Sequence, residues 1–277
     1  MNITMKSFFL SVVYLANNKE GISSFKRFLK YYNIYKSGLK HNLIICFKNF
    51  YDEKSTARWK KVINKKIKYK LYFDDYKIDD YDWGSYRRIA KNNKNKIILF
   101  LNSHSYPIKN NWLKLIAKHY AKKSLVGCTA SYASLSSSFF SYPKYYRMNF
   151  LKCLIYGFFN LFRFPIFPNP HIRSNAFLIK GSDFLSLKLP IIFQHKLQTN
   201  MSESGWLGMT RQLKKKKFRI ILANSKGEGY LEPTWIKSGT FSYKKQDNLI
   251  ISDNRTRIYK SSSFENKKKE QKFHWGI

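Results

Sequence analysis

The polar loop at residues 102–107 is the first candidate site in the chain. It reads NSHSYP, includes Asn102 and His104, and follows directly on the apolar run KIILFL at residues 96–101. A buried strand that ends in clustered hydrogen-bonding side chains is typical of a ligand site, although ordinary strand-to-helix turns are polar as well. The loop alone leaves both readings open.

A second polar loop, NPHIRSN at residues 169–175, precedes another apolar run and carries His171, Arg173 and Asn175. Guanidinium, imidazole and amide groups together suit a phosphate or a hydroxylated ligand. We expect these three side chains to line the side of a binding site that holds a phosphate group or an acceptor molecule. For His171 alone, a structural histidine is the alternative.

Glu203 is the third candidate and stands in SESG, before a helix predicted over residues 205–215. A carboxylate in a site can take the proton from an attacking hydroxyl as a general base. Near a helix start, Ser and Glu also cap free backbone N–H groups, which is the structural alternative.

The elements that must position these residues alternate between strand and helix in the first half of the chain. Strands are predicted at residues 8–15, 42–47, 69–73, 96–101 and 125–129, and helices at 22–36, 53–66, 84–93 and 110–122. This alternation favours a mostly parallel sheet with helices on both faces. Ligands then bind beyond the carboxyl ends of the strands, at loops 15–21, 74–84 and 102–107.

The pattern changes at residue 131. Residues 131–141 are Ser-rich and predict turns, and residues 139–167 are dominated by aromatic side chains interspersed with Arg147, Lys152 and Arg163. This segment predicts either an interfacial helix on an anionic membrane surface or a helix pair that covers the core or a dimer face.

Beyond it, a strand at 176–180, a strand at 218–223 and a plain turn at 253–256 are predicted. We expect one domain over residues 1–259, with halves at 1–131 and 132–259, an aromatic insertion at 139–168, and a loosely docked basic tail at 260–277.

Composition excludes several classes of protein. The 277 residues contain 44% hydrophobic and 18% aromatic side chains, too many for a disordered or collagen-like chain. The three cysteines are scattered in apolar contexts and predict buried free thiols in a reducing compartment.

The apolar run at 8–15 lacks a cleavage signal, and residues 150–168 are interrupted by charges and prolines. We therefore expect a cytoplasmic protein, or one peripheral on the cytoplasmic face of the inner membrane.

The charge is extreme, with 52 Lys and Arg against 16 Asp and Glu and a net charge of +36. Lysines dominate and are spread along the chain, which favours a solvated basic surface shaped by compositional bias. Attraction to anionic lipid headgroups or to a phosphate-bearing substrate is the alternative. Nucleic-acid binding is a further one, although the chain shows no nucleic-acid-binding motif.

Taken in order, several short stretches resemble family-2-like glycosyltransferases with the GT-A fold, and in particular a group of bacterial glycosyltransferase-like proteins. The stretches are VVYLA at 12–16, FKNF at 47–50, DWGSYRRIA at 82–90, LNSHS at 101–105, GCTAS at 127–131, NPHIRSNAF at 169–177, ESG at 203–205, DNRT at 253–256 and WG at 275–276. Together they span nearly the full length of the chain.

This resemblance implies a sugar transferred from a nucleoside-diphosphate donor to a surface-glycan or lipid-linked acceptor. By position, the loop after Ala16 and the pair Asp74 and Asp75 would contact the base and ribose, and Glu203 would be the catalytic base. For the aspartates, a solvated acidic turn is the alternative. A non-catalytic binding or scaffold protein is the alternative to the enzyme.

The family pattern places Asp-x-Asp after the fourth strand, as ligands for a divalent cation that bridges the diphosphate. This chain has Asn102 and His104 there, which supply no negative charge. His104 with His274 would suit a softer ion such as Mn²⁺. Without a metal, Arg173, Arg211 or nearby lysines would stabilise the leaving diphosphate.

Overall fold

The computed structural model describes residues 10–141 and 149–277. Residues 8–9 of the first predicted strand, and Arg147 in the aromatic segment, lie outside the described residues. The strands are β1 (Leu10–Asn17), β2 (Asn42–Lys48), β3 (Lys70–Asp74), β4 (Ile97–Leu101), β5 (Tyr106–Pro107), β6 (Ser124–Gly127), β7 (Ala130–Ser131), β8 (His171–Ile172), β9 (Ala176–Lys180), β10 (Arg219–Ala223), β11 (Gly229–Leu231) and β12 (Ile251–Ser252).

The helices belong to the same described ranges. They are α1 (Ile22–Ile34), α2 (Glu53–Lys61), α3 (Tyr81–Asn92), α4 (Trp112–Ala117), α5 (Leu135–Ser141), α6 (Phe150–Leu161), α7 (Gly181–Leu185), α8 (Lys196–Ser204), α9 (Met209–Lys215), α10 (Asn254–Ser261) and α11 (Phe264–Trp275).

Eight of the strands in the described ranges form one sheet in the order β11-β10-β6-β9-β4-β1-β2-β3. β1, β2, β3 and β4 are mutually parallel, whereas β9 runs antiparallel between β4 and β6. β11 is an antiparallel edge strand on β10. The predicted α/β sheet is confirmed, with these two strands as its antiparallel members.

Alternating side chains of the central strands pack on opposite faces of the sheet. Val12 and Tyr14 of β1 join a cluster completed by α1, α2 and α4, and Val13 and Leu15 join a second cluster completed by α3, α7 and α9. A strand covered by helices on both faces has no polar side, which is why β1 is continuously apolar from Val12 to Ala16.

One edge of the sheet collects the ends of most strands. The carboxyl ends of β1, β2, β3, β4 and β6 lie there, together with the amino end of the antiparallel β9. The loops after Asn17, Leu101 and Gly127 and the loop before Ala176 therefore meet at this edge. The chain positions two of its candidate loops, at 102–107 and 169–175, side by side.

Three local predictions need correction. The Ser-rich segment forms helix α5, because Ser134 and Ser136 satisfy their hydroxyls on the Pro165 carbonyl. The turn predicted at 253–256 is instead the start of α10, where Asp253 accepts a hydrogen bond from the Thr256 N–H. The basic tail contains α11, whose Trp275 is buried.

Over residues 10–141 and 149–277, no helix is long and apolar enough to cross a membrane.

Candidate active site

Backbone and amide hydrogen bonds join the loops at the carboxyl edge of the sheet. The Asn102 N–H donates to the Asn175 carbonyl at 3.1 Å, and the Thr129 hydroxyl donates to the Asn175 side-chain oxygen at 2.5 Å. The Arg173 N–H donates to the Thr129 carbonyl at 3.0 Å. Asn175 is therefore a structural link between β4, β6 and β9, and its buried amide nitrogen has no partner in the described part of the chain.

A cavity of about 330 Å³ lies beside this link and is lined by both acidic and basic side chains. Its lining includes Ser131, His171, Arg173, Lys196, Asn200, Glu203, Phe241, Arg255, Glu270 and His274. Four of the residues predicted from sequence, namely Glu203, His171, Arg173 and His274, are thus brought together in one place.

Glu203 is held by one carboxylate oxygen and presents the other to the cavity. Its Oε2 accepts hydrogen bonds from the Ser174 N–H at 2.6 Å and from the Ser174 hydroxyl. Its Oε1 lies 3.9 Å from Nε2 of His171, and a quarter of the side chain is exposed. A carboxylate oriented in this way can accept a proton from a ligand hydroxyl in the cavity.

The helix context of Glu203 differs from the prediction. Residues 205–215 are not one helix: α8 ends at Ser204, and α9 begins at Met209 after Gly208, which makes no side-chain cap. Glu203 therefore lies in the last turn of α8. The alternative role as an N-terminal cap is wrong, because the carboxylate bonds Ser174 of the neighbouring loop.

His171 faces Glu203 as a neutral acceptor. Its Nδ1 donates to the Asn169 carbonyl at 2.8 Å, so the lone pair is on Nε2. Burial lowers the pKa of His171 below its usual value, although Glu203 acts in the opposite direction. A hydroxyl placed between His171 and Glu203 would meet two acceptors and no competing donor.

Arg173 and His274 are already paired with protein groups. Arg173 forms an ion pair with Asp253 at 3.0 Å and stacks on the Phe241 ring at 3.8 Å. His274 bonds the Ser131 hydroxyl at 2.8 Å and Glu270 at 3.2 Å. Burial lowers the pKa of His274 to about 4, against the effect of Glu270. The imidazole is therefore neutral at pH 7 and anchors α11 to the cavity.

The metal pair expected from His104 and His274 has no shared partner. His104 lies 3.0 Å from Glu20 and 3.3 Å from the Ser24 hydroxyl, on the α1 side of the sheet edge. Asn102 turns inward and accepts hydrogen bonds from the His104 N–H and the Ser105 hydroxyl. In the described ranges, no three His, Cys, Asp or Glu side chains gather where they could hold a metal ion.

Asp74, expected to contact ribose, is buried with both oxygens already bonded. Arg88 donates to both at 2.6 and 2.7 Å, and the Ser85 hydroxyl donates to one. Burial by itself would raise the pKa of Asp74, but the hydrogen bonds from Arg88 and Ser85 outweigh it and hold the pKa below its usual value. Asp74 is thus part of a buried ion cluster, and of the predicted pair only Asp75 is exposed.

Ala16 and Arg211 lie apart from the cavity lining. Ala16 is buried within β1, where only its backbone is near the strand end. Arg211 stacks over the Trp206 ring at 5.1 Å.

Asp82 is a candidate that the sequence interpretation did not single out. It lies in the first turn of α3 and makes no hydrogen bond or ion pair with any residue the structure describes. Burial raises the pKa of Asp82 to about 7; Lys48 opposes this, and Glu20 and Glu203 add to it. Asp82 is therefore a carboxyl group that has no hydrogen-bond or ion-pair partner among the described residues and that interacts electrostatically with Glu203.

Unpaired polar atoms mark the same region. Among the residues that the structure describes, the buried hydroxyls of Tyr86 and Ser103 have no hydrogen-bond partner, and neither has the amide nitrogen of Asn175. Tyr86 lies one helical turn beyond Asp82 on α3. Burial raises the pKa of Tyr86, and the negative charges of Asp82 and Glu203 raise it further. Buried polar atoms without partners are uncommon in folded proteins.

Gly84, two residues after Asp82, lies against the buried ion cluster. A Cβ at Gly84 would lie 1.7 Å from a carboxylate oxygen of Asp80, which shows how closely α3 approaches the ion cluster. Asp80 accepts hydrogen bonds from Lys48 at 2.6 Å and from Arg88 at 2.6 Å. The cluster thereby fixes the start of α3, and with it the position of Asp82.

Solved structures that resemble this chain include several glycosyltransferases, the class that the sequence landmarks resemble. The galactosyltransferase LgtC, solved with donor and acceptor sugar analogues, is similar at a TM-score of 0.44 and 9% identity, over 96% of this chain and 97% of that one. The bifunctional glycosyltransferase WbbM gives 0.46 and 10%, over 100% and 47%. The mannosyltransferase PcManGT from Pyrobaculum calidifontis, in complex with GDP-Man and Mn²⁺, gives 0.40 and 11%, over 70% and 52%.

This chain spans about half the length of WbbM and of PcManGT. At these identities the likeness concerns the fold and not the donor, the acceptor or the catalytic residues. No protein-family model matches the chain, and no curated protein sequence matches it.

Proposed function

We propose that this protein is a glycosyltransferase that moves a sugar from a nucleoside-diphosphate donor to a glycan or lipid-linked acceptor, with Glu203 as the general base. The observation that carries the proposal is the Glu203 carboxylate itself. One oxygen is fixed by Ser174 and the other faces a charged cavity at the carboxyl edge of an α/β sheet. That edge is where ligands of such sheets bind.

In the proposed reaction, an acceptor hydroxyl lies between Oε1 of Glu203 and Nε2 of His171. Glu203 takes the hydroxyl proton as the oxygen attacks the anomeric carbon, and the bond to the diphosphate breaks with its electron pair. The cavity offers cations where that charge develops, since Arg173, Lys196 and Arg255 line it. The region of Asp82, with its unpaired polar neighbours, would receive hydroxyls of the donor.

The described residues do not fit a divalent cation in the usual manner of such enzymes. The side-chain oxygen of Asn102 already accepts hydrogen bonds from the His104 N–H and the Ser105 hydroxyl, and His104 is paired with Glu20. Mg²⁺ and Mn²⁺ favour several carboxylate oxygens, which this loop does not provide. No step of the proposed reaction passes through a metal.

The test is the release of nucleotide from a panel of UDP-, GDP- and dTDP-sugars, which yield the nucleoside diphosphate, and of CMP-sugars, which yield CMP, each at 150 mM NaCl. Glu203→Gln should lower the best turnover about 10²- to 10⁴-fold, the usual contribution of a general base. The same variant should still bind the nucleotide of that donor, so the free nucleotide should raise its Tm as much as it raises the Tm of wild type. Glu53→Gln, at an exposed helix start, is the matched control and should turn over normally.

Two outcomes would contradict the proposal. Full turnover by Glu203→Gln would assign the base to another group, with His171 the nearest. No turnover of any donor, combined with a selective rise in Tm for one nucleotide, would favour a non-catalytic binding protein.

A further inference from the structure

Helix α6 exposes mostly apolar side chains, whereas an ordinary surface helix exposes polar ones. It buries a narrow stripe, Cys153, Gly157 and Asn160, and Gly157 packs against the Phe140 ring. Most of the remaining surface is apolar and exposed. The exposed side chains are Phe150 (66%), Leu151 (65%), Ile155 (47%), Tyr156 (48%), Phe158 (57%), Phe159 (56%) and, just beyond the helix, Phe162 (73%).

A second exposed pair extends this surface toward the active site. The Trp206 N–H donates to the Arg163 carbonyl at 3.0 Å, and the Trp206 indole N–H donates to the Leu161 carbonyl at 2.9 Å. Trp206 and Leu207 are 47% and 59% exposed. We call the exposed side chains of α6, Phe162, Trp206 and Leu207 the α6 patch. Its indole stands three residues after Glu203.

The stretch of sequence that contains α6 carries charges of one sign. From residue 83 to residue 182 the sequence contains no Asp or Glu, so every fixed charge there is a Lys or Arg. Lys152 is exposed on α6, and Arg211 stacks over Trp206 at the patch. Contiguous apolar patches of this kind are rare on monomeric proteins and mark interaction surfaces.

We propose that the α6 patch lies flat on an anionic lipid bilayer. Phenylalanines and a tryptophan with flanking Lys and Arg are the composition of an interfacial helix, whose apolar face enters the boundary between headgroups and acyl chains. The 12 residues of α6 span about 18 Å, too short to cross the hydrocarbon core.

A second copy of this chain is the less favoured occupant. Each copy carries a net charge of +36, and two basic patches would repel each other, whereas anionic headgroups attract them. Docking on lipid would also bring the Glu203 cavity close to the membrane surface, through the hydrogen bonds of Trp206 to α6.

The experiment is flotation of the full chain with vesicles of phosphatidylcholine alone or with 30% phosphatidylglycerol, at 150 and 500 mM NaCl. A net charge of +36 attracts any anionic vesicle, so the higher salt is needed to isolate insertion. Wild type should bind the anionic vesicles at least tenfold more tightly than the neutral ones at 150 mM, and should keep measurable binding at 500 mM.

The variant Phe158→Ser with Phe162→Ser should weaken binding at 500 mM by at least about tenfold, because each exposed phenylalanine contributes buried apolar area. Phe264→Ser is the matched control, since Phe264 is 71% exposed on α11, and it should bind as wild type does.

Three results would overturn the proposal. The double variant could bind as well as wild type at 500 mM, which would mean that the net charge alone explains the binding. Wild type could bind neutral and anionic vesicles equally at 150 mM, which would remove the role of the basic rim. A dimer of the wild type, dissociated by the double variant in light scattering, would assign the α6 patch to a second copy.

Discussion

Two aspartates at the same edge of the sheet show how environment decides the role of a residue. Asp74 ends β3 and is fully bonded to Arg88 and Ser85, so its charge is stabilised by the fold. Asp82 begins α3 without a partner in the described ranges, and its charge is disfavoured by burial. A carboxyl group whose ionisation is opposed by burial is a better functional candidate than one whose charge stabilises the fold.

The pKa values of the two aspartates predict opposite responses to pH. Asp82 has a folded-state pKa of about 7 against a usual value of 3.8, so between these values the unfolded chain loses the proton first and stability falls as pH rises. Asp82→Asn should therefore be more stable than wild type at pH 8 by roughly 1–4 kcal/mol, with the gain vanishing toward pH 4. Urea unfolding at pH 4, 6 and 8 measures this, and donor turnover should fall in the same variant.

Asp74→Asn is the matched control for that series. The pKa of Asp74 is held below its usual value, so its contribution is present above pH 4 and is lost as pH falls further. Removing it leaves Asp80 as the carboxylate partner of Arg88 in the cluster, and we expect a loss of about 3 kcal/mol at pH 8. Equal losses in both variants would mean that Asp82 is structural.

At the scale of elements, the C-terminal helix α11 completes the cavity from the far end of the chain. It brings Glu270 and His274 to the lining, and its last residue, Trp275, is buried. The Trp275 indole donates to the Phe241 carbonyl at 2.8 Å, and its ring meets Tyr132 edge-on at 5.1 Å. One aromatic side chain therefore holds two cavity residues in place.

Trp275→Ala should release α11 and open that side of the cavity. Truncating a buried tryptophan costs about 3–5 kcal/mol, which is enough to detach a short terminal helix. Hydrogen exchange should speed up across residues 264–275 and in the β7 segment that bonds His274. Phe264→Ala, at the exposed start of α11, should change stability by no more than about 0.5 kcal/mol. Unchanged protection in Trp275→Ala would show that other contacts hold the helix.

The elements were more predictable from sequence than the site. β9 lies at the predicted residues 176–180 because a short apolar run between turn signals has few other solutions. The end of α8 was missed because Gly205, the residue at its C-cap, was interpreted as the start of a helix and not as the end of one. Ser174, which holds the Glu203 carboxylate, is 29 residues away in the sequence. The different environments of Asp74 and Asp82 could not be predicted for a similar reason. Arg88 bonds Asp74 and not Asp82 because of the way α3 packs on the sheet, which the sequence alone does not show.

At the scale of the whole molecule, the dominant property is the excess of positive charge. The chain has 52 basic residues and 16 acidic ones, and two of the acidic side chains, Asp74 and Asp80, are paired in the buried cluster with Arg88 and Lys48. The remaining surface repels itself, which opposes the compact state. It also attracts any polyanion, so a nucleotide effect counts as specific only if tripolyphosphate fails to reproduce it.

This repulsion predicts that salt stabilises the fold. Raising NaCl from 10 to 150 mM shortens the screening length from about 30 Å to about 8 Å, and the exposed lysines then repel each other less. The Tm should rise by several degrees across this range, because the buried ion pairs of Arg88 are screened far less than the surface. Guanidinium chloride at 100 mM supplies similar ionic strength and should also raise the Tm, which separates screening from salting-out. A Tm that falls with NaCl would mean that surface ion pairs outweigh the repulsion, and the net charge would then say little about partners.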